Sequence, residues 1–180
     1  MPHTLHVQVF CPDRTGLVSG LTAALFDLGA NLGDTRFAVL GQRAEFSAVV
    51  SVADDITAEQ VGAAMRDCPE AVEADVSVMP YDAWVNPEGG PNITHHVYVT
   101  GGDRPGLVTR LAEVFGDFDA NIATMNAQAM PQDSSQYIIR FAVAIPSGRE
   151  SACLATVSNT AQSMGMTYRV EPVLAQHPSP

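Results

Sequence analysis

The chain of 180 residues contains the same segment twice, at a constant offset of 90 residues. A His-Val pair, an Asp-Arg pair and a Gly-Leu-Val triplet recur with identical spacing in residues 6–21 and 96–111. The match continues without a gap to Ala30-Asn31 and Ala120-Asn121. A repeat that occupies half of a chain indicates two copies of one domain, so a structural feature of the first copy is expected again in the second.

The hydrophobic pattern of each copy predicts a strand, a helix, two strands, a second helix and a last strand. Apolar residues alternate with polar ones in the strands and recur three and four residues apart in the helices. Thr57 and Gln60 have the spacing of a capping box at the start of a helix. The predicted helices are 17–28, 58–66, 107–118 and 150–163. The predicted strands are 4–10, 31–40, 45–52, 73–79, 93–100, 121–130, 136–145 and 166–173.

This order of elements indicates an α+β fold for each copy. Because crossover connections are right-handed, two split β-α-β halves form one antiparallel sheet with both helices on the same face. A stretch rich in proline, glycine and asparagine separates the copies and is typical of a linker. We therefore predict a first domain at residues 1–80, a linker at 81–91 and a second domain at 92–180. The polar residues 131–135 are predicted to form a loop between two paired strands.

The charge of the chain argues against direct contact with nucleic acid. Its net charge is −11, it contains no lysine, and its arginines are scattered rather than gathered into a stripe. Such a chain is a poor ligand for DNA, RNA or an anionic membrane. No apolar run approaches the roughly 20 residues of a membrane span, and no secretory signal is recognisable. We expect a cytoplasmic protein that acts on genes, if at all, through another protein.

The chain lacks the usual signatures of catalysis and of metal binding. Cys11, Cys68 and Cys153 are too far apart for a zinc motif, and buried free thiols are expected. His95 and His96 are adjacent in a predicted strand, where neighbouring side chains point to opposite faces and cannot share one metal ion. No nucleophile–base pair or nucleophile elbow appears either. We therefore expect no cofactor, no metal site and no enzymatic activity.

The repeated loop lies at a strand-to-helix junction in both copies. Such a junction offers unpaired helix amides and the positive end of the helix dipole, and a glycine there leaves the backbone accessible to a small anion. An aspartate of the loop could accept a hydrogen bond from an ammonium group, so the junction suits a zwitterionic amino acid. There is also a purely structural alternative. Aspartate before a helix is a common N-cap, and glycine can serve only to let the helix approach the sheet.

Both loops, each followed by an Ala-Asn pair, resemble the signature of ACT domains. The matching residues are Asp13-Arg14-Thr15-Gly16-Leu17-Val18, Ala30-Asn31-Leu32, Asp103-Arg104-Pro105-Gly106-Leu107-Val108 and Ala120-Asn121-Ile122. The resemblance implies two ferredoxin-like βαββαβ domains that bind amino acids and regulate other proteins. A free-standing pair of this length is similar to the glycine cleavage system transcriptional repressor family. Members of that family carry no DNA-binding element and restrain a DNA-binding activator in response to glycine.

The resemblance also implies a set of ligand-binding residues. In ACT domains the ligand lies where two modules meet, between the first loop of one module and the start of the second strand of its neighbour. Carried over by position, the residues are Asp13, Arg14, Gly16, Leu17, Asn31, Asp103, Arg104, Gly106, Leu107, Asn121 and Ile122. The loops are not equivalent, because Cys11-Pro12 in the first corresponds to Gly101-Gly102 in the second. We expect the second loop to be the more open to a ligand, and Gly106→Val to abolish binding with little change in the far-UV spectrum.

Three functions remain open at this point. The first is a homodimeric amino-acid sensor, for glycine or another small amino acid, that controls a transcription factor by protein–protein contact. The second is a separate regulatory subunit of an amino-acid or one-carbon metabolic enzyme. The third is a dimerisation scaffold that binds no ligand.

Overall fold

The computed structural model describes residues 2–81, 92–130 and 133–173, apart from the side chains of residues 133 and 134. The chain divides into two compact units, Met1–Pro87 and Glu88–Pro180. Of the predicted linker only Tyr81 lies within the described residues, and its amide donates to the carbonyl of Thr4 at 2.9 Å. The domain limits of 1–80 and 92–180 therefore stay a prediction.

The first domain is a four-stranded antiparallel sheet covered by two helices. Its elements are β1 (His3–Pro12), α1 (Leu17–Asp27), β2 (Asn31–Leu40), β3 (Arg43–Val52), α2 (Ala58–Arg66) and β4 (Asp75–Pro80). The strand order is β2-β3-β1-β4, and all neighbouring strands are antiparallel. The strand and helix order predicted from the hydrophobic pattern is thus confirmed.

Alternation along β1 decides which face of this sheet carries the core. Leu5, Val7 and Val9 are at most 1% exposed, and they pack in one cluster with Leu21 and Leu25 of α1. The intervening side chains of β1 are half-buried or exposed, so the helices cover one face only. Burial of these apolar side chains out of water is the main force that holds the helices on the sheet.

The start of α2 is fixed by the predicted capping box. The Gln60 amide donates to Thr57 Oγ1 at 3.2 Å, and the Thr57 amide donates to Gln60 Oε1 at 2.7 Å. Two helix-start amides that would otherwise lack acceptors are thereby satisfied.

The second domain repeats the first. Its elements are β5 (His95–Gly102), α3 (Leu107–Asp117), β6 (Asn121–Met130), β7 (Asp133–Ala144), α4 (Glu150–Ser163) and β8 (Thr167–Pro172). The strand order β6-β7-β5-β8 is the same as in the first domain, and its own core centres on Phe115 and Phe141. The repeat in the sequence is therefore a repeat of one α+β fold.

Several predicted boundaries differ from the structure by one or two residues, and the start of β7 differs by three. We predicted a loop over residues 131–135 and a strand from residue 136, but β7 begins at Asp133, which pairs with Met130. Residues 131 and 132 lie outside the described residues. The strand extends into polar sequence because the hydrogen bonds of a ladder are made by the backbone and do not require apolar side chains.

Candidate functional site

Each repeated loop leads from the first strand of its domain into the first helix, with a glycine as the N-cap. Gly16 precedes α1 with φ +90°, and Gly106 precedes α3 with φ +79°. This left-handed backbone conformation is costly for residues with a Cβ atom and natural for glycine. A Cβ added to Gly106 would meet nothing within 4 Å, so close approach of helix and sheet is not why glycine stands there.

The alternative in which the loop aspartate caps the helix is wrong as well. Glycine is the N-cap in both domains, and among the described residues no side chain forms a capping hydrogen bond at the start of either helix. The first amide of each helix is used locally, since Leu17 donates to the Arg14 carbonyl at 3.3 Å and Leu107 to the Arg104 carbonyl at 3.2 Å. Within residues 2–81, 92–130 and 133–173, the next two amides of each helix have no side-chain acceptor, and the positive end of the helix dipole faces the loop.

The predicted site residues are exposed, buried or half-buried according to their place in the fold. The loop aspartates and arginines, the N-cap glycines, and Asn31 and Asn121 are exposed, as a site that takes ligand from solvent requires. Leu17 and Leu107 are 1% and 2% exposed, so their side chains belong to the core and anchor the helix start. Ile122 is half-buried against the core of the second domain.

A surface groove brings one of these residues beside the helix in the first domain. Asn31, at the start of β2, lines an open groove of about 500 Å³ together with Ser19 and Phe26 of α1. The loop residues 13–16 do not line this groove. Within the first domain the asparagine and the loop therefore flank the same helix without forming one enclosed cavity.

Gly101, the first residue of the Gly101-Gly102 pair, has a packing explanation. A Cβ added to Gly101 would lie 2.5 Å from Met166 Sδ. The buried Cys11 occupies the corresponding position of the first domain, and by strand register Ala74 has there the place that Met166 has in the second domain. In the second domain the large Met166 side chain, just before β8, fills the space that a side chain at Gly101 would take, which conserves core volume. Gly101 is therefore explained by packing, whereas a Cβ added to Gly102 would meet only the Ser135 carbonyl oxygen at 4.0 Å, and a more open second loop stays a prediction.

Burial leaves the thiols of the chain unreactive. Desolvation is the largest cause that raises the pKa of Cys11, Cys68 and Cys153 above the ordinary value, so each stays protonated at neutral pH. Burial also raises the pKa of Tyr168 to about 12. Among the described residues no group of three or more His, Cys, Asp or Glu side chains is placed to hold a metal ion. Nor is any helix in this part of the chain long and apolar enough to span a membrane.

We expect Gly106→Ala to lower the free energy of unfolding of the second domain by about 1–2 kcal/mol, because alanine is strained at a left-handed φ. Gly106→Val, which is predicted to abolish binding with little change in the far-UV spectrum, should be strained further than Gly106→Ala, because valine is β-branched. Urea denaturation followed by circular dichroism measures the change.

Gly116→Ala is the matched control for this experiment. Gly116 lies inside α3, and a Cβ added there meets nothing within 4 Å. Alanine should therefore stabilise the helix by up to about 1 kcal/mol. If Gly106→Ala were as stable as Gly116→Ala, backbone conformation would not be the reason for glycine at the junction.

Comparison with known proteins agrees with this fold and this pair of junctions. The family model of the ACT domain matches residues 3–79 and again residues 96–171. An unknown protein from Galdieria sulphuraria has a similar structure, with 21% identity and a TM-score of 0.76, over 97% of this chain and 100% of that one. A "putative glycine cleavage system transcriptional repressor" has 17% identity and a TM-score of 0.66, over 96% and 98% of the two chains. No curated protein matches.

The chain is thus built from two small α+β regulatory modules, and in each a glycine leads from the first strand into the first helix. The chain belongs to the ACT domain family, whose members sense amino acids and regulate other proteins, and it contains two such domains in tandem.

Proposed function

We propose that this protein is a regulator without catalytic activity of its own. It binds a small amino acid, with glycine as the first candidate, and passes its ligand state to a protein partner. The observation that carries the proposal is the uncapped start of α3 behind the left-handed Gly106, with Asp103 and Arg104 exposed beside it. The backbone amides at such a helix start have no hydrogen-bond acceptor, and a ligand carboxylate can be that acceptor.

The chemistry of the junction matches both ends of a zwitterion. The carboxylate accepts hydrogen bonds from the helix amides after Leu107, at the positive end of the dipole. The Asp103 carboxylate accepts a hydrogen bond from the ammonium group, and the Asn121 side chain can donate or accept. Charge-assisted bonds of this kind are about twice as strong as neutral ones. The first domain has the same residue types in Asp13, Arg14, Gly16 and Asn31, of which Asn31 lines a groove that the loop residues do not line.

Glycine and a transcriptional partner are favoured by two observations together. The fold of both domains is similar to that of a "putative glycine cleavage system transcriptional repressor" over nearly the whole length of both chains. A net charge of −11 without lysine disfavours direct DNA binding, so control of a gene would run through contact with a DNA-binding protein.

The first domain exposes apolar side chains suited to such a contact. Phe26 on α1 is 76% exposed and Leu40 at the end of β2 is 80% exposed, and Phe37 and Val39 on β2 are about half as exposed. Phe37 and Val39 lie on one face of this edge strand, and exposed apolar side chains at a sheet edge are typical of interaction surfaces. We propose that this edge of β2 contacts the protein partner.

Thermal unfolding with and without amino acids tests the proposal. Glycine should raise the Tm of the intact chain, because a ligand specific for the folded state stabilises it by about 2.7 kcal/mol at one hundred times its Kd. Methylamine and acetate, which each carry one half of the zwitterion, serve as controls and should have no effect at the same concentration. A flat response to every amino acid would leave only the scaffold function.

Affinity capture from a cell extract, with and without glycine, then tests the partner. A DNA-binding protein whose capture changes with glycine supports a transcriptional regulator. An amino-acid or one-carbon enzyme captured in its place would make the protein a regulatory subunit instead.

A further inference from the structure

Glu70 lies along the first turn of α1 in the first domain. A Cβ added to Gly16 would be 3.7 Å from Glu70 Cγ, and one added to Gly20 would clash with Glu70 Oε2. The Cys68 thiol donates a hydrogen bond to the same Oε2 at 3.3 Å. The Glu70 carboxylate therefore packs against the backbone of Gly20, one turn into α1, where any side chain larger than that of glycine would clash with it.

The turn that carries Glu70 belongs to the first domain alone. α2 has 9 residues and is followed by a connection at 67–74, whereas α4 has 14 residues and only residues 164–166 precede β8. Pro69 cannot continue a helix, and a turn closes there with the Ala71 amide donating to the Cys68 carbonyl at 2.9 Å. An early helix end thus places an acidic side chain beside the junction.

The second junction has no counterpart of Glu70 among the described residues. In this part of the chain nothing meets a Cβ added to Gly106 within 4 Å, and the connection at 164–166 approaches only Arg104 of the loop, whose Nη2 would be 3.6 Å from a Cβ added to Gly165. Since both loops carry an Asp-Arg pair, the Glu70 carboxylate is what distinguishes the surroundings of the first junction.

We infer that Glu70 determines which junction takes the ligand: its charge keeps an amino-acid carboxylate from the first junction, and the second binds one molecule per chain. This inference rests on the proposed function. A carboxylate beside the first helical turn already interacts with the positive end of the dipole. A second anion at the same helix end meets like-charge repulsion, which is strong at separations of a few ångströms near a protein surface.

An NMR titration with glycine on the ¹⁵N-labelled chain tests this assignment. The amides of Val18 and Ser19 report on the first junction, and those of Val108 and Thr109 on the second. In the wild-type chain we expect only the second pair to shift with saturation. Glu70→Gln keeps the shape of the side chain and removes its charge, so the first pair should then titrate too, with affinity tightened on the order of tenfold or more.

Glu45→Gln is the control variant, because Glu45 is an exposed residue of β3 on the sheet face without helices. It removes the same charge and should leave the first junction silent. Saturable shifts at both junctions of the wild-type chain, or a first junction that stays silent in Glu70→Gln, would overturn the inference and leave the proposed function standing. Silence at both junctions in all three proteins would overturn the proposed function, and the inference with it.

Discussion

Phe115→Ala is expected to lower the free energy of unfolding of the second domain by about 3–5 kcal/mol. The Phe115 ring is fully buried, and its centroid lies 5.3 Å from that of Phe141 at an interplanar angle of 61°. Removing it loses the transfer free energy of an aromatic side chain, leaves a cavity under α3 and breaks an edge-to-face ring contact.

Hydrogen exchange read by mass spectrometry measures this loss domain by domain. Peptides from residues 92–130 and 133–173 should lose protection, while those from residues 2–81 keep it, because each domain has a hydrophobic core of its own. Phe26→Ala is the control, since Phe26 is 76% exposed and its loss should change stability by no more than about 0.5 kcal/mol. Equal loss of protection in both domains would contradict the description of two separate cores.

Asp103→Asn is expected to weaken glycine binding by about 10–100-fold, the loss that follows removal of one hydrogen bond to a charged group. The substitution keeps size and polarity and removes the negative charge that the ligand ammonium requires. Because Gly106 is the N-cap and Asp103 is exposed, stability should stay within about 0.5 kcal/mol of the wild type.

Asp13→Asn is the matched variant at the first junction. If Glu70 keeps ligand away from that junction, this variant should bind glycine as the wild type does. Isothermal titration of both variants measures the difference. Equal weakening by the two substitutions would mean that both junctions contribute to binding, and no change in either would place the ligand elsewhere.

The arrangement of elements was predictable because it depends on local chemistry. The period of apolar residues separated strands from helices, and the Thr57–Gln60 spacing identified the residue at which α2 begins. The start of β7 was not predictable from the same pattern, since polar residues at a hairpin end pair through their backbone. The internal repeat was the strongest basis for the prediction, because the same strand-to-helix junction could be recognised twice in the sequence.

The chemistry of the junctions was predictable only in part. Glycine at the helix start could be recognised from the motif, but a left-handed φ as its reason required backbone geometry. The exchange of volume between Gly101 and Met166 depends on two strands that are far apart in sequence. Glu70 was missed for the same reason, and the only signal in the sequence was Pro69, which ends the helix before it.

Titration calorimetry of the intact chain with glycine and the other proteinogenic amino acids tests the central claim most directly. The account predicts a saturable heat for glycine or another small amino acid, with one molecule bound per chain and the heat largely lost in Asp103→Asn. Absence of a saturable heat for every amino acid at tens of millimolar, from a chain that unfolds cooperatively, would contradict it.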